Sequence, residues 1–188
     1  MLKLCKLMNR GMGGGKNTNY NGLLFENITN ICDFSIVKER KMYIEICLEN
    51  KNNYSFIKLK NRKRLTTFMK SKNYLNTTIV PASGCCVPDE CYIDLNKKNL
   101  FIIEKKFQKQ SGSVDEKLQT AVFKKQHFKK LYPNFNIHYI YCLCRWFKQD
   151  KYLSVFEYLQ ENNIPVYFYE NDKDYKNKII QYILSNTF

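Results

Sequence analysis

The stretch Pro88-Asp89-Glu90-Cys91-Tyr92-Ile93-Asp94-Leu95-Asn96-Lys97-Lys98-Asn99-Leu100-Phe101-Ile102-Ile103-Glu104-Lys105-Lys106-Phe107-Gln108 sets a carboxylate before one apolar segment and a second carboxylate, with a lysine two residues on, near the end of another. Asp89 to Leu95 and Leu100 to Phe107 read as strands, and the polar Asn96 to Asn99 between them reads as a hairpin loop. Side chains at i and i+2 share a face of a strand, so Ile102, Glu104 and Lys106, continued by Gln108, form one row. A loop of two or four residues brings Asp89 across from Glu104 or Lys106, whereas an odd loop separates them. Two carboxylates beside an ammonium suit a divalent cation, which generates a nucleophile from water and stabilises a pentavalent phosphorus.

The competing explanation is a surface hairpin in which Glu104 and Lys106 form a solvated ion pair of little value. Three features weigh against it. Ile102 and Ile103 point to opposite faces, so the second strand is expected to be buried on both sides, and charges at its end must be paired, wet or functional. Pro88 restricts the backbone entering the first strand. Ser111 to Tyr132 then reads as a helix, with Ser113 and Glu116 as a capping box and Val114, Leu118, Ala121, Val122 and Phe128 as an apolar stripe. Asp94 is the rival to Asp89; it has the opposite strand parity and adjoins the loop, where aspartate is common for turn-making reasons.

On Pro88, Asp89, Glu104, Lys105 and Lys106, the chain resembles the PD-(D/E)XK nuclease superfamily, which includes many type II restriction endonucleases. In that family the proline-aspartate and the Glu-x-Lys lie on adjacent strands and a helix follows. The resemblance implies that Asp89, Glu104 and the carbonyl of Lys105 ligate magnesium, with manganese as a substitute, while Lys106 orients or polarises the attacking water. It further implies a place beside the metal for Gln108, in a Glu-x-Lys-x-Gln variant, and for Glu26, on a first core helix reading Gly22-Leu23-Leu24-Phe25-Glu26. On a helical wheel Glu26 lies away from the face of Leu24, Ile28 and Ile31, so a solvated helix glutamate is an equal alternative. The implied fold is α/β: a restriction-endonuclease-like core with a central mixed sheet flanked by helices on both faces, carrying an inserted β-hairpin.

Charge bears on the partner. The chain has 31 Lys and Arg against 17 Asp and Glu, a net charge of +14, and that excess favours a polyanion, nucleic acid first. Lys58, Lys60, Arg62, Lys63 and Arg64 follow a predicted strand and form the candidate DNA-binding cluster, with a basic solvated turn as the alternative. Arg62 and Arg64 are best suited to guanine edges or phosphates. Lys124, Lys125, Lys129 and Lys130 make a second basic face, which solubility alone would explain.

At 188 residues and 44% hydrophobic, the chain is long enough for one well-buried domain, expected over residues 19–188, with a basic tail over 1–18 and an insert over 41–82 that reads DNA. Tyr20 to Cys32 reads as the first helix, Met42 to Leu48 with Tyr54 to Leu59 as the inserted hairpin, and Leu65 to Tyr74 as a short helix. Ile137 to Trp146 reads as a central strand, followed by helix Tyr152 to Gln160, strand Val166 to Tyr169 and helix Tyr175 to Leu184. No apolar run approaches a bilayer span and the N-terminus lacks the apolar core of a secretory signal, so an intracellular protein with reduced thiols is expected. The eight cysteines include no Cys-x-x-Cys pair, and buried reduced cysteine explains Cys142 and Cys144 better than zinc. Neither His127 nor His138 has a carboxylate or serine arrangement suggesting a triad, and Gly11 to Thr18 departs from a phosphate-binding loop in spacing and at Asn17.

These expectations converge on hydrolysis of a DNA phosphodiester by metal-activated water, with restriction-like sequence specificity. Since one active site cuts one strand, cleavage of double-stranded DNA would call for a homodimer. The alternative from another class is a nucleic-acid-binding module that kept the fold without catalysis.

Overall fold

A computed structural model describes residues 16–48, 54–82, 86–111, 114–169 and 174–188. The leading elements are α1 (Lys16–Ile28), β1 (Phe34–Glu39), β2 (Tyr43–Leu48), β3 (Phe56–Leu59) and α2 (Leu65–Ser71). The motif hairpin is β4 (Glu90–Asp94) and β5 (Asn99–Lys106). There follow α3 (Val114–Lys117), α4 (Ala121–Leu131), β6 (Asn136–Cys144), α5 (Leu153–Glu161), β7 (Val166–Tyr169) and α6 (Asp174–Ser185).

The seven strands form one mixed sheet in chain order: β1 to β5 run antiparallel, and β5, β6 and β7 run parallel. Parallel neighbours need crossovers, and α3, α4 and α5 supply them. Lys124 of α4 reaches Glu104 on one face, whereas Lys105 of β5 reaches the carbonyl of Glu26 on α1 on the other. The hydroxyl of Tyr175 on α6 donates to Ile28 O, setting α6 beside α1. The sheet is thus an α/β core covered on both faces, and Ile102 and Ile103 are both fully buried. Among the described residues, no helix is long and apolar enough to cross a membrane.

Several expected boundaries shift for identifiable reasons. The first helix begins at Lys16, so 16–18 do not belong to the tail, whose remaining residues lie outside those described. It stops at Ile28 because the next turn has other partners: Thr29 Oγ1 donates to Phe25 O at 2.6 Å, and the Ile31 amide donates to Glu90 Oε1 at 3.2 Å. The helix expected from Ser111 to Tyr132 is broken at Leu118–Thr120, a 3-10 turn, where Thr120 Oγ1 and the buried Tyr141 hydroxyl both donate to Lys117 O. Ser113 of the expected capping box lies outside the described residues, and Glu116 is exposed.

Within the expected insert over 41–82, β2 and β3 join the main sheet. β3 lies between β2 and β4, with Ile57 opposite Ile93, so these strands extend the central sheet and bury Phe56, Ile57 and Leu59 in the common core. The strand β1 was not expected from the sequence. It is an edge strand, exposed along nearly its whole length, with a bulge between Ile36 and Lys38, so it shows no half-buried alternation.

Candidate functional site

Glu90 pairs with Ile103 and Asp94 with Asn99, closing the motif hairpin with four residues, Leu95 to Lys98. That register directs Asp89, one step before β4, toward Glu104, as the even loop requires. Asp94 makes the turn: its Oδ1 accepts from the amides of Asn96 and Lys97 at 2.9 and 3.0 Å, and its Oδ2 accepts from the Tyr54 hydroxyl at 2.7 Å. Its carboxylate is fully buried and occupied away from Asp89. Asp94→Ala is therefore expected to cost about 1–3 kcal/mol in urea denaturation, from the loss of buried hydrogen bonds, and to leave folded protein with the chemistry of Asp89 intact.

At the far end of the hairpin, Asp89 Oδ2 accepts from the Lys105 amide at 2.8 Å, which orients the carboxylate. Lys106 Nζ stands among three oxygens: Glu104 Oε1 at 2.6 Å, the Lys105 carbonyl at 3.3 Å and Asp89 Oδ2 at 3.5 Å. The three groups named as magnesium ligands thus gather around one cationic centre. A second lysine, Lys124 of α4, donates to the same Glu104 Oε1 at 2.8 Å. On the other side of Asp89, Arg62 Nη1 pairs with Glu26 Oε2 at 2.7 Å and with Asp89 Oδ1 at 3.0 Å. A cleft of about 430 Å³ opens here, its walls including Glu26, Asn30, Lys60, Arg62 and Asp89.

The electrostatics separate the acids. Burial, then the charge of Glu104, pushes the Asp89 carboxyl above its ordinary range despite Lys106, the Lys105 amide and Arg62. Burial and the charge of Asp89 likewise raise Glu26, against the pull of Arg62. Burial opposes ionisation of Glu104, but Lys106 and Lys124 together hold its carboxyl below the usual range. Burial works against the Lys106 ammonium too, and Glu104 and Asp89 more than offset it, raising its pKa. Acids that repel one another at close quarters are the kind of site that gains from a dication.

The other expected residues divide. Glu26 does reach the cluster, joined to Asp89 through Arg62. The carbonyl of Lys105 faces Lys106, while its side chain turns to the opposite face and pairs with Glu90 at 2.7 Å. Gln108 leaves the row because β5 ends at Lys106: its amide donates to Cys144 Sγ at 3.3 Å and its Nε2 to Asp115 Oδ1 at 2.9 Å. Its buried Oε1 has no partner among the described residues.

Lys58 is a correction to the basic cluster. Its ammonium donates to Glu90 Oε1 at 2.5 Å, Tyr92 OH at 2.8 Å and Ile31 O at 3.0 Å, so it is a structural cation under the sheet and not an exposed one. Lys60 pairs with Glu39 of the edge strand. Arg62 faces the acids, and Lys63 and Arg64 are exposed on the same 3-10 turn, Arg62–Arg64. Cys91 and Cys142 are poor nucleophiles, since burial raises both thiols to about 12. Burial also pushes His138 down to about 4, so its imidazole is neutral beside Phe101 and Tyr182.

Two participants escaped the sequence reading. Lys124 belongs to a basic face that solubility alone would explain, and nothing local says which helical lysine turns inward to Glu104. Glu90 carried a usable signal: adjacent to Asp89 and opposite Ile103, it must share the face of Lys105.

No protein-family model, curated protein or solved structure matches the chain.

Proposed function

We propose that the chain is a metal-dependent endodeoxyribonuclease with a restriction-endonuclease-like core, cutting DNA phosphodiester bonds in a sequence-specific manner. The observation that carries this reading is the convergence of Glu104, the Lys105 carbonyl and Asp89 on one positive centre within 3.5 Å. Oxygen donors of this kind, two carboxylates and a carbonyl, fit magnesium and, in its place, manganese. Further support comes from Pro88-Asp89, just before β4, meeting Glu104-Lys105-Lys106 at the end of the adjacent β5 with a helix following, and from the net charge of +14.

In this mechanism Asp89, Glu104 and the Lys105 carbonyl would hold the ion. A magnesium ion held there would supply Lewis-acid chemistry, polarising a water and offsetting negative charge on the phosphate. The Lys105 amide keeps Asp89 in place through its Oδ2. Lys106, buried next to Glu104 and cationic, holds the water by hydrogen bonding and favours its deprotonated form. Lys124 balances the charge of Glu104 from the helix side and keeps that carboxylate ionised. Lys63 and Arg64 lie outward on the turn beside the site, where they contact backbone phosphates. With one such cluster among the described residues of each chain, concerted cutting of both strands favours two chains in a homodimer.

Plasmid DNA incubated with the protein and magnesium, with and without chelator and alongside Lys106→Ala, tests the reading. Discrete fragments that disappear with chelator and in the variant are expected. A smear would remove the sequence specificity, and retarded but uncut DNA would replace the nuclease with a binding module of the same fold.

A further inference from the structure

Arg62 approaches Asp89 from the 3-10 turn after β3, and its Nη1 stands among oxygens of the kind a hard cation takes: Glu26 Oε2 at 2.7 Å, Asp89 Oδ1 at 3.0 Å and Asp89 O at 3.4 Å. Asp89 is thereby occupied on both sides, with Oδ1 on Arg62 and Oδ2 on the Lys105 amide and Lys106. A dication bound at Asp89 would compete with the guanidinium for these oxygens and repel it by charge.

The exposure of the ion pairs separates a replaceable cation from a permanent one. The Lys105 to Glu90 pair has side chains 1% and 3% exposed, and breaking it strands two buried charges. The Arg62 side chain is 32% exposed and Glu26 22%, so Arg62 has a route to water and loses much less on leaving. Its exposed neighbours Lys63 and Arg64 mark the direction of that route as cationic, and a guanidinium fork matches a phosphate.

We infer that Arg62 is an exchangeable counter-ion: it neutralises Glu26 and Asp89 while no dication is bound and passes to a DNA phosphate when one is, so that metal and DNA reinforce each other's binding through this side chain. The inference rests on the nuclease reading and adds to it a coupling between the two ligands, which must be reciprocal.

Titration of calcium, an ion of the same oxygen preference, into the full chain by calorimetry tests this, with and without a short DNA duplex, for wild type, Arg62→Met and Arg62→Lys. Without DNA, Arg62→Met should bind calcium roughly tenfold more tightly than wild type, and the tightening that DNA produces in wild type should shrink. Arg62→Lys, which keeps the charge without the fork, should fall between them. Calcium affinity unchanged or weakened in Arg62→Met, or a wild-type affinity that DNA does not alter, overturns the counter-ion role. Should Arg62→Met fail to fold by circular dichroism, the DNA dependence of the wild type and the position of Arg62→Lys decide. Ion binding with DNA left intact under magnesium removes the nuclease reading alone, and no ion binding by the wild type removes both.

Discussion

Asp89→Asn should abolish DNA cleavage, by roughly a thousandfold or more, without weakening the fold. The two halves of that expectation have separate causes. Asn lacks the charge that would hold a dication, although its side-chain oxygen can still accept from the Lys105 amide. Asp89 is also an acid whose folded-state pKa is raised, first by burial and then by Glu104. For such a group the contribution to stability is largest when it is protonated and declines as pH rises from the unfolded value through the folded one. A permanently neutral residue avoids that decline, so the variant should melt at or above the wild-type temperature at pH 7, with the gap closing in acid. Arg62 retains Glu26 and Lys106 retains Glu104, so neither cation is stranded. Initial rates of plasmid nicking and thermal melts at pH 7 and pH 5 check both halves. A variant that cuts normally, or that melts many degrees lower, would make Asp89 a structural residue.

Glu90→Ala should produce the largest loss of stability, about 3–5 kcal/mol, because it leaves buried ammonium groups without their counter-charge. Glu90 joins Lys58 at 2.5 Å, Lys105 at 2.7 Å, the Tyr92 hydroxyl at 2.5 Å and the Ile31 amide at 3.2 Å, so one carboxylate ties β3, β4, β5 and the segment after α1 together. Burial opposes its ionisation, but Lys58 and Lys105 overcome that and lower its carboxyl below the ordinary 4.5. Here the sign is the reverse of Asp89: the stabilisation is present above the unfolded value and is lost as pH falls through the folded one. Urea denaturation should show the full difference between wild type and variant at pH 7, narrowing below pH 4.5. A variant as stable as wild type at pH 7 would mean that solvent or rearrangement satisfies both lysines. Cleavage should also weaken in Glu90→Ala, since Lys105 presents both the amide that orients Asp89 and a proposed ligand carbonyl.

How far the site was legible can be followed residue by residue. The row of Glu104 and Lys106 follows from the two-residue period of a strand, and the approach of Asp89 to Glu104 follows from an even loop between two strands near in sequence. The turn role of Asp94 was likewise local. Arg62 lies 27 residues from Asp89 and Lys124 lies 20 residues from Glu104, and no period reaches across such gaps. The helical wheel draws the apolar face through Leu24, Ile28 and Ile31, but α1 ends at Ile28 and the hydrophobic residue it buries is Phe25; Arg62 reaches the half-buried Glu26 beside it from another element.

The fold divides in the same way. Each of β2, β3, β6 and β7 announces itself through apolar and β-branched residues, and the helices through their stripes. Whether β2 and β3 stand apart as an insert or extend the sheet depends on the pairing of Ile57 with Ile93, a contact between distant segments.

By itself, then, the amino-acid order determined the hairpin, the shared face of Glu104 and Lys106 and the excess of positive charge, because backbone alternation and composition act over a few residues or over none; the register came from the pairing of Asp94 with Asn99, which closes the loop at Leu95 to Lys98 and not at Asn96 to Asn99. Only the tertiary structure decided which cations meet which acids: Arg62 at Asp89, Lys124 at Glu104, and Lys58 withdrawn to Glu90. Those choices depend on which surfaces the packed sheet and helices bring within reach of a long, flexible side chain, and on which charges burial forces to find a partner.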